Sequence, residues 1–247
     1  MRTPKLRGQW TVLACGAAYQ AVLQLRGKGS FVLAKGYRLV ASLGSSRYRG
    51  YVIEAPGTII AAFRGTDGLR DLGTDLKLQP VPYPYSRKAG FVHRGFIELY
   101  QHQIRSPLMH ALRRLSPNKK LILTGHSMGG ALATLAAVDV ALHTRFRKPC
   151  VYTFGSPKVG DIQFASEYDR LVPLSVRVEN VRDVITAFPP ALGAEFAYVH
   201  VNRALYVHFN RSNWLGNHKM RHYAAALEAV YPEAYAKLRK QNPGLLP

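Results

Sequence analysis

The stretch Leu121-Ile-Leu-Thr-Gly125-His-Ser127-Met-Gly129-Gly130 constrains this chain more than any other. A short leucine- and isoleucine-rich run passes directly into Gly-x-Ser-x-Gly and then into the helix-forming Ala131-Leu-Ala-Thr-Leu-Ala-Ala-Val138. A strand that turns into a helix within so few residues holds its central serine in a strained conformation, with the hydroxyl raised at the turn. Glycine at 125 and 129 removes Cβ atoms that would strike neighbouring backbone, and Gly130 adds slack. The same turn sets the backbone N–H of Met128 at a helix N-terminus, where it can donate to a charge forming on a bound carbonyl oxygen. The bare pentapeptide is common by chance. The strand before it and the helix after it make it a statement about Ser127 as a nucleophile.

The remaining segments supply a setting for such a turn. Apolar runs at Tyr37–Leu43, Tyr51–Glu54 and Thr58–Phe63, parted by Gly, Ser and Pro turns, read as strands. Phe96, Ile97, Tyr100, Ile104, Leu108, Ala111, Leu112 and Leu115 keep a helical spacing and predict an amphipathic helix over Gly95–Leu115. The strand Lys120–Thr124, the helix Met128–Thr144 and the strand Cys150–Phe154 follow. Next come a turn from Gly155 to Gly160, a helix from Asp161, a strand near Ser175–Glu179, strands at Ala197–Val201 and Ala204–Phe209, and a helix over His218–Val230. A first helix spans about 8–26, with Trp10, Leu13, Ala17, Val22 and Leu25 roughly on one side. Strands alternating with helices of this length imply an α/β fold, a mainly parallel central sheet with helices on both faces. Ligands in such sheets sit beyond the carboxyl ends of the strands, where Ser127, Gly155 and Asn180–Asp183 all fall. Nothing marks a domain boundary, so residues 1–247 read as a single domain.

A serine hydroxyl is a weak nucleophile at neutral pH and needs a base, which in turn needs a group to hold it. Where the nucleophile sits on a strand-to-helix turn, acid and then histidine follow it along the chain. Asp183 follows a strand and suits the acid, which fixes the imidazole tautomer and stabilises the imidazolium that forms. His218 and His222 lie one helical turn apart. His218, after Leu215-Gly-Asn217, comes from a loop that can project over the sheet edge, which places it ahead of His222. His126 adjoins the nucleophile with its side chain directed away, and His93, His200 and His208 read as structural. A second oxyanion donor is expected in Arg64-Gly-Thr66, after the strand that ends at Phe63.

Charge narrows the partners. The 247 residues hold 34 Lys and Arg against 14 Asp and Glu, a formal +20. The basic residues are scattered, without a nucleic-acid motif or a stacking platform, so no specific nucleic acid is expected. Such an excess reads first as a highly charged solvated surface, with attraction to an anionic membrane surface as the alternative. Cys15 and Cys150 make neither a metal site nor a disulfide framework, although a single bridge between them is compatible with the sequence. No metal site is apparent and the chemistry needs no cofactor. Arg2, Lys5 and Arg7 before Trp10–Cys15 faintly mimic a lipoprotein signal. Only about five apolar residues separate charge from cysteine, against the roughly 7–15 of a signal core. The expectation is therefore a cytoplasmic or membrane-peripheral protein rather than a secreted one. The sequence says nothing of oligomeric state.

Several motifs taken in order resemble one family. They are Ala62-Phe-Arg-Gly-Thr66, Asp75, Val92-His-Arg-Gly-Phe96, Thr124-Gly-His-Ser-Met-Gly-Gly130, Tyr152-Thr-Phe-Gly-Ser-Pro157 with Val159-Gly160, Asn180 to Asp183, and His218-Lys-Met-Arg-His-Tyr223. From about Tyr37 to Leu227 the chain resembles the class 3 lipases, α/β-hydrolases that include fungal triacylglycerol lipases and bacterial relatives. The chain is identified as a bacterial-type member; the disulfides and secretory leader of the fungal enzymes are not visible, so their extracellular, interface-activated behaviour is not carried over. The resemblance implies Ser127 as nucleophile, Asp183 as acid, and Thr66 with Met128 as oxyanion hole. It favours His218 as base, because the family motif has histidine five positions before tyrosine. It also implies that His93 and Asp75 are architectural.

The expected activity is hydrolysis of carboxylic esters through an acyl-serine intermediate, with acylglycerols as the leading lipid or ester substrate. A carboxylesterase, a phospholipase or a polyester hydrolase on the same triad is the alternative, and a non-catalytic lipid-binding module a further one. Phe63, His126, Leu192 and Trp214 are the candidates for lining the substrate pocket. The segment of about 67–92, with Leu69, Leu72, Leu76, Leu78, Val81, Tyr83 and Tyr85, reads equally as a lid or as a packed connection.

Overall fold

A computed structural model describes residues 4–23, 32–44, 49–65, 78–192, 196–201 and 203–247. A seven-stranded sheet runs in the order β1 (Arg38–Leu43), β2 (Gly50–Ala55), β3 (Thr58–Phe63), β6 (Lys120–His126), β7 (Cys150–Phe154), β8 (Leu174–Asn180), β9 (Ala204–Val207). The first three strands form an antiparallel meander, and from β3 onward every pairing is parallel. A separate hairpin pairs β4 (Pro80–Pro82) with β5 (Phe91–His93).

Strand alternation sorts side chains onto two cores. Ile59, Ala61 and Phe63 of β3 and Leu121 and Leu123 of β6 face one core, while Ile60, Ala62 and Ile122 face the other. The first core lies under α4 (Met128–His143) and α5 (Ile162–Leu171), with the helical stretch α2 (Arg94–Leu99) and α3 (Ser106–Arg113). The second lies under α1 (Pro4–Leu23), α7 (Met220–Val230) and α8 (Pro232–Gln241).

Four details differ from the sequence reading. Helix α1 is not amphipathic: Thr11, Val12, Ala14, Cys15, Ala17, Ala18, Gln20 and Ala21 are all buried, because sheet and C-terminal helices cover it from two sides. Its buried amide, Gln20, is satisfied by the carbonyls of Gly244 and Leu245 at 2.8 and 3.1 Å. The expected helix over Gly95–Leu115 is interrupted by a π-helical turn, Tyr100–Arg105. In a π turn residues five apart share a face, so Tyr100 and Arg105 both reach Oδ2 of the fully buried Asp139, at 2.7 and 2.8 Å. Residues 197–201 form no strand; Val199 makes one bridge to Gly160, because β9 occupies the place beside β8. The last helical region is three pieces, α6 (Trp214–His218), α7 and α8. Cys15 and Cys150 are both buried free thiols. Of the segment read as a lid or connection, 66–77 lies outside the described residues. Its remainder is packed: Tyr83 is buried against Phe164 and donates to the Leu135 carbonyl at 2.8 Å.

Candidate active site

Ser127 joins β6 to α4 with φ 58° and ψ −131°, a region that residues with a Cβ rarely adopt. Neighbouring backbone over-determines that conformation. The Ser127 N–H donates to the Phe154 carbonyl at 3.0 Å, and its own carbonyl accepts from Gly130 N–H at 2.8 Å. A Cβ on Gly125 would lie 2.3 Å from the Gly129 carbonyl carbon, and one on Gly129 would lie 2.2 Å from the Phe63 carbonyl oxygen. Helix and two strand ends are thus packed backbone to backbone around the serine. Met128 occupies the first helical position, where an N–H has no acceptor within the helix.

The loop after β8 carries Asp183, and the end of α6 carries His218. His218 Nδ1 lies 2.7 Å from Asp183 Oδ2, with both side chains buried. Asp183 Oδ2 also accepts from the Tyr223 hydroxyl at 2.6 Å, and its Oδ1 accepts from the Ile185 N–H at 3.0 Å. Burial, with the Asp183 charge beside it, holds the Tyr223 phenol well above its ordinary range, so it remains a donor. With Nδ1 turned to a carboxylate, that nitrogen carries the ring proton and Nε2 keeps its lone pair, an assignment that follows from the partner. Nε2 is buried and has no hydrogen-bond partner among the described residues. A buried imidazole nitrogen left open is costly unless something is to use it.

His126, expected to point away from Ser127 and also a candidate for lining the pocket, lies against His218. His126 is 8% exposed, and its Nε2 donates to the His218 carbonyl at 2.6 Å, with ring centroids 4.6 Å apart. It braces the main chain of His218 and presents little surface to a ligand. Burial first, and then the His218 charge, push its pKa well below the ordinary histidine value. It therefore stays neutral and adds no cation beside an imidazolium forming on His218. Phe63, another of the pocket candidates, is fully buried in the core below the turn. Trp214 opens α6 at 43% exposure. Leu192 is half-buried in a loop closed by its N–H on the Phe196 carbonyl at 2.9 Å. Thr66 lies outside the described residues. Its neighbour Gly65 places the end of β3 against the turn, since a Cβ there would stand 3.0 Å from the His126 carbonyl oxygen and 3.5 Å from Ser127 Cβ.

The other histidines fall elsewhere. His222 is half-buried and accepts from Arg221 Nε at 3.4 Å, with no described contact to Asp183. His93 caps α2, its Nδ1 accepting from Phe96 N–H at 3.3 Å. His200 Nε2 donates to the Thr186 carbonyl at 2.7 Å and lies 3.3 Å from Glu179, tying down the short 3-10 helix Val184–Ala187 that follows Asp183. Sequence reasoning had no role for Tyr223 beyond marking the position of His218. Its five-residue spacing from His218, across the break between α6 and α7, was the available signal.

Comparison with known proteins comes from three directions. Residues 60–193 match the family model described as Lipase (class 3). The chain is 31% identical over 156 residues to a lipase of Rhizomucor miehei, covering 61% of this chain and 42% of that protein. It is 30% identical over 171 residues to a lipase of Rhizopus oryzae, covering 66% and 43%. It is also 30% identical over 213 residues to phospholipase A1-II 3 of Oryza sativa subsp. indica, covering 70% and 50%. The chain thus spans half or less of the length of these curated relatives. In fold it is similar to the lipase structure from Rhizopus microsporus var. chinensis, with TM-score 0.66 at 25% identity over 85% of this chain and 77% of that one. It is likewise similar to the Rhizomucor miehei triacylglyceride lipase, with TM-score 0.70 at 24% identity over 83% and 81%.

Proposed function

We propose that this chain, which belongs to the class 3 lipase family, hydrolyses carboxylic esters of lipids through an acyl-serine intermediate. His218 Nε2 takes the Ser127 proton as Oγ attacks the ester carbonyl, and Asp183 steadies the imidazolium that results. The Met128 N–H, joined by that of Thr66, donates to the oxyanion. Collapse of the tetrahedral intermediate breaks the ester C–O bond as His218 returns the proton to the leaving alcohol. Water then repeats the sequence on the acyl-serine. The observation that carries this reading is the buried Asp183–His218 pair, whose Nε2 is open among the described residues and whose imidazole lies against that of His126, the residue before Ser127.

The surroundings support a lipid substrate. The 3-10 helix after Asp183 packs against α6, and these segments expose Val181, Val184, Trp214 and Leu215. Arg182, Arg211, Lys219 and Arg221 are exposed alongside them. Apolar side chains ringed by cations suit an anionic lipid surface. Acylglycerols are the favoured substrate, and similarity to the rice phospholipase keeps a phospholipid as the second reading. A fluorophosphonate probe should label the native chain and fail to label Ser127→Ala, which should also lose about 10⁴-fold or more of its turnover of p-nitrophenyl esters. Labelling that survives the substitution removes Ser127 as the nucleophile. Activity that rises when a long-chain ester passes into emulsion marks a lipase, and activity confined to dissolved short esters marks a carboxylesterase.

A further inference from the structure

The helix that begins at Ser127 ends at a second polar feature with no part in ester hydrolysis. Helix α4 is 16 residues long, which separates its two ends by roughly 24 Å. At the C-terminal end opens a cavity of about 440 Å³, lined by Arg113, His143, Arg145 and Arg147 above Leu112 and Phe146. That volume falls within the range of small-molecule sites.

Its charge is uncompensated. Among the described residues no carboxylate lines the cavity. Between residues 99 and 160 the only acid is Asp139, which is fully buried and already engaged by Tyr100, Arg105 and His143. Arg114 and Lys148, each next in the chain to a lining residue, are exposed as well. Basic side chains near helix C-termini often do no more than offset the helix dipole. Arg147 does this, donating to the Ala141 and Leu142 carbonyls at 3.4 and 3.3 Å. Arg113 and Arg145 do not: among the described residues neither guanidinium makes a hydrogen bond or an ion pair. Two guanidinium groups with all donors free, facing a concave surface with a third arginine and a histidine, exceed what a helix end requires.

We propose that this cavity binds a phosphate-bearing anion. A guanidinium presents paired N–H groups that match two phosphate oxygens, and several cations favour a dianionic phosphate over a single carboxylate. The phosphate can belong to a soluble phosphorylated molecule or to a lipid headgroup. A headgroup held here would turn the Ser127 end away from that bilayer, which favours the soluble source.

Titration calorimetry of the full chain with inorganic pyrophosphate tests the site. Saturable binding with one ligand per chain is expected. The double variant Arg113→Ser and Arg145→Ser should weaken it about tenfold or more, as the loss of charge-assisted hydrogen bonds implies. The double variant Arg87→Ser and Lys240→Ser removes the same charge at exposed positions elsewhere, and should change affinity less than about twofold. Thermal melts without ligand check that each variant folds, and Arg145→Ser alone, in the loop, serves if the pair does not. Vesicles containing phosphatidic acid separate the sources. Vesicle binding abolished by the same substitutions and competed by pyrophosphate assigns a headgroup, whereas vesicle binding indifferent to them assigns a soluble ligand. The site stands in either case. It is overturned if pyrophosphate does not saturate, or if both double variants weaken it equally, since the charge then acts only as a diffuse surface field.

Discussion

The two ends of helix α4 solve opposite problems. At the N-terminal end nearly every polar group is buried and fixed: Ser127 in a rare backbone conformation, Asp183 held by three donors, His218 braced through its carbonyl by a neutral His126. At the C-terminal end His143, Arg145 and Arg147 are exposed, and charge density rather than fixed geometry is the dominant property. The difference teaches where each end draws its strength. Preorganised groups in a water-poor site lose much when one moves by a fraction of an ångström. Exposed cations tolerate movement but are screened by salt. Substitutions should therefore be severe and non-additive at the first end, and graded and salt-dependent at the second.

The harshest test of this contrast is a single methyl group. Gly155 follows β7 with φ 55°, and a Cβ there would lie 2.8 Å from Asp183 Oδ2 and 3.0 Å from the Tyr223 hydroxyl oxygen. Gly155→Ala meets both a backbone penalty and a collision with the acid. We expect turnover to fall about 100-fold, the scale attached to roughly an ångström of misplacement. KM for a short soluble ester should change far less than kcat. Turnover within a factor of three of the native chain would mean that the Ser127 end is more pliable than its packing indicates.

Much of this end was legible in the sequence, and the reasons are local. The change from strand to helical pattern around Ser127, and the acid after the next strand but one, are written in neighbouring residues. The parallel sheet followed from the alternation of elements. What stayed hidden depends on contacts between distant residues. The bond from His126 spans 92 positions to the His218 carbonyl, and nothing near His126 announces it. The π turn at Tyr100–Arg105 is explained by Asp139, 34 positions beyond Arg105. Helix α1 looked amphipathic because the C-terminal helices that cover its second side lie at the other end of the chain. Phe63 looked available because its strand ends at the site, yet the turn packs directly over it. Thr66 and residues 67–77 of the segment read as a lid or connection fall outside the described residues.

Acid offers a milder probe of the same contrast. His93 is fully buried near the catalytic end, and desolvation pushes its pKa down from 6.5 to about 4. His200 is also lowered to about 4, by burial first and the Arg177 charge second. Both are neutral in the fold, so as pH falls below 6.5 the unfolded chain takes up protons first. Their contribution to stability is complete above that value and is lost as pH falls through about 4. At pH 5 the cost is on the order of 2 kcal/mol for His93, or about 4–8 °C in Tm for a chain of this size. His93→Gln keeps an acceptor for the Phe96 N–H and should narrow the gap between melts at pH 7 and pH 5. An unchanged gap would place the acid sensitivity elsewhere.

The smallest effect on the fold carries the sharpest question, which end of α4 meets a lipid surface. Trp214 and Leu215 are 43% and 44% exposed, so replacing both with serine should alter stability by no more than about 0.5 kcal/mol. Their apolar area matters only when something covers it, and burying one such side chain is worth about 1.5–3 kcal/mol. Vesicles rich in phosphatidylglycerol should bind the double variant at least about tenfold more weakly than the native chain. Hydrolysis of dissolved short-chain esters should hold within about threefold, because the reacting groups stay in place. Salt should weaken what binding remains, since Arg182, Arg211, Lys219 and Arg221 act through a screened field. If vesicle affinity instead survives in Trp214→Ser with Leu215→Ser but collapses in Arg113→Ser with Arg145→Ser, the bilayer is met by the far end. The exposed residues beside Asp183 and His218 would then be the mouth of a pocket for single dissolved esters rather than a seat for a membrane.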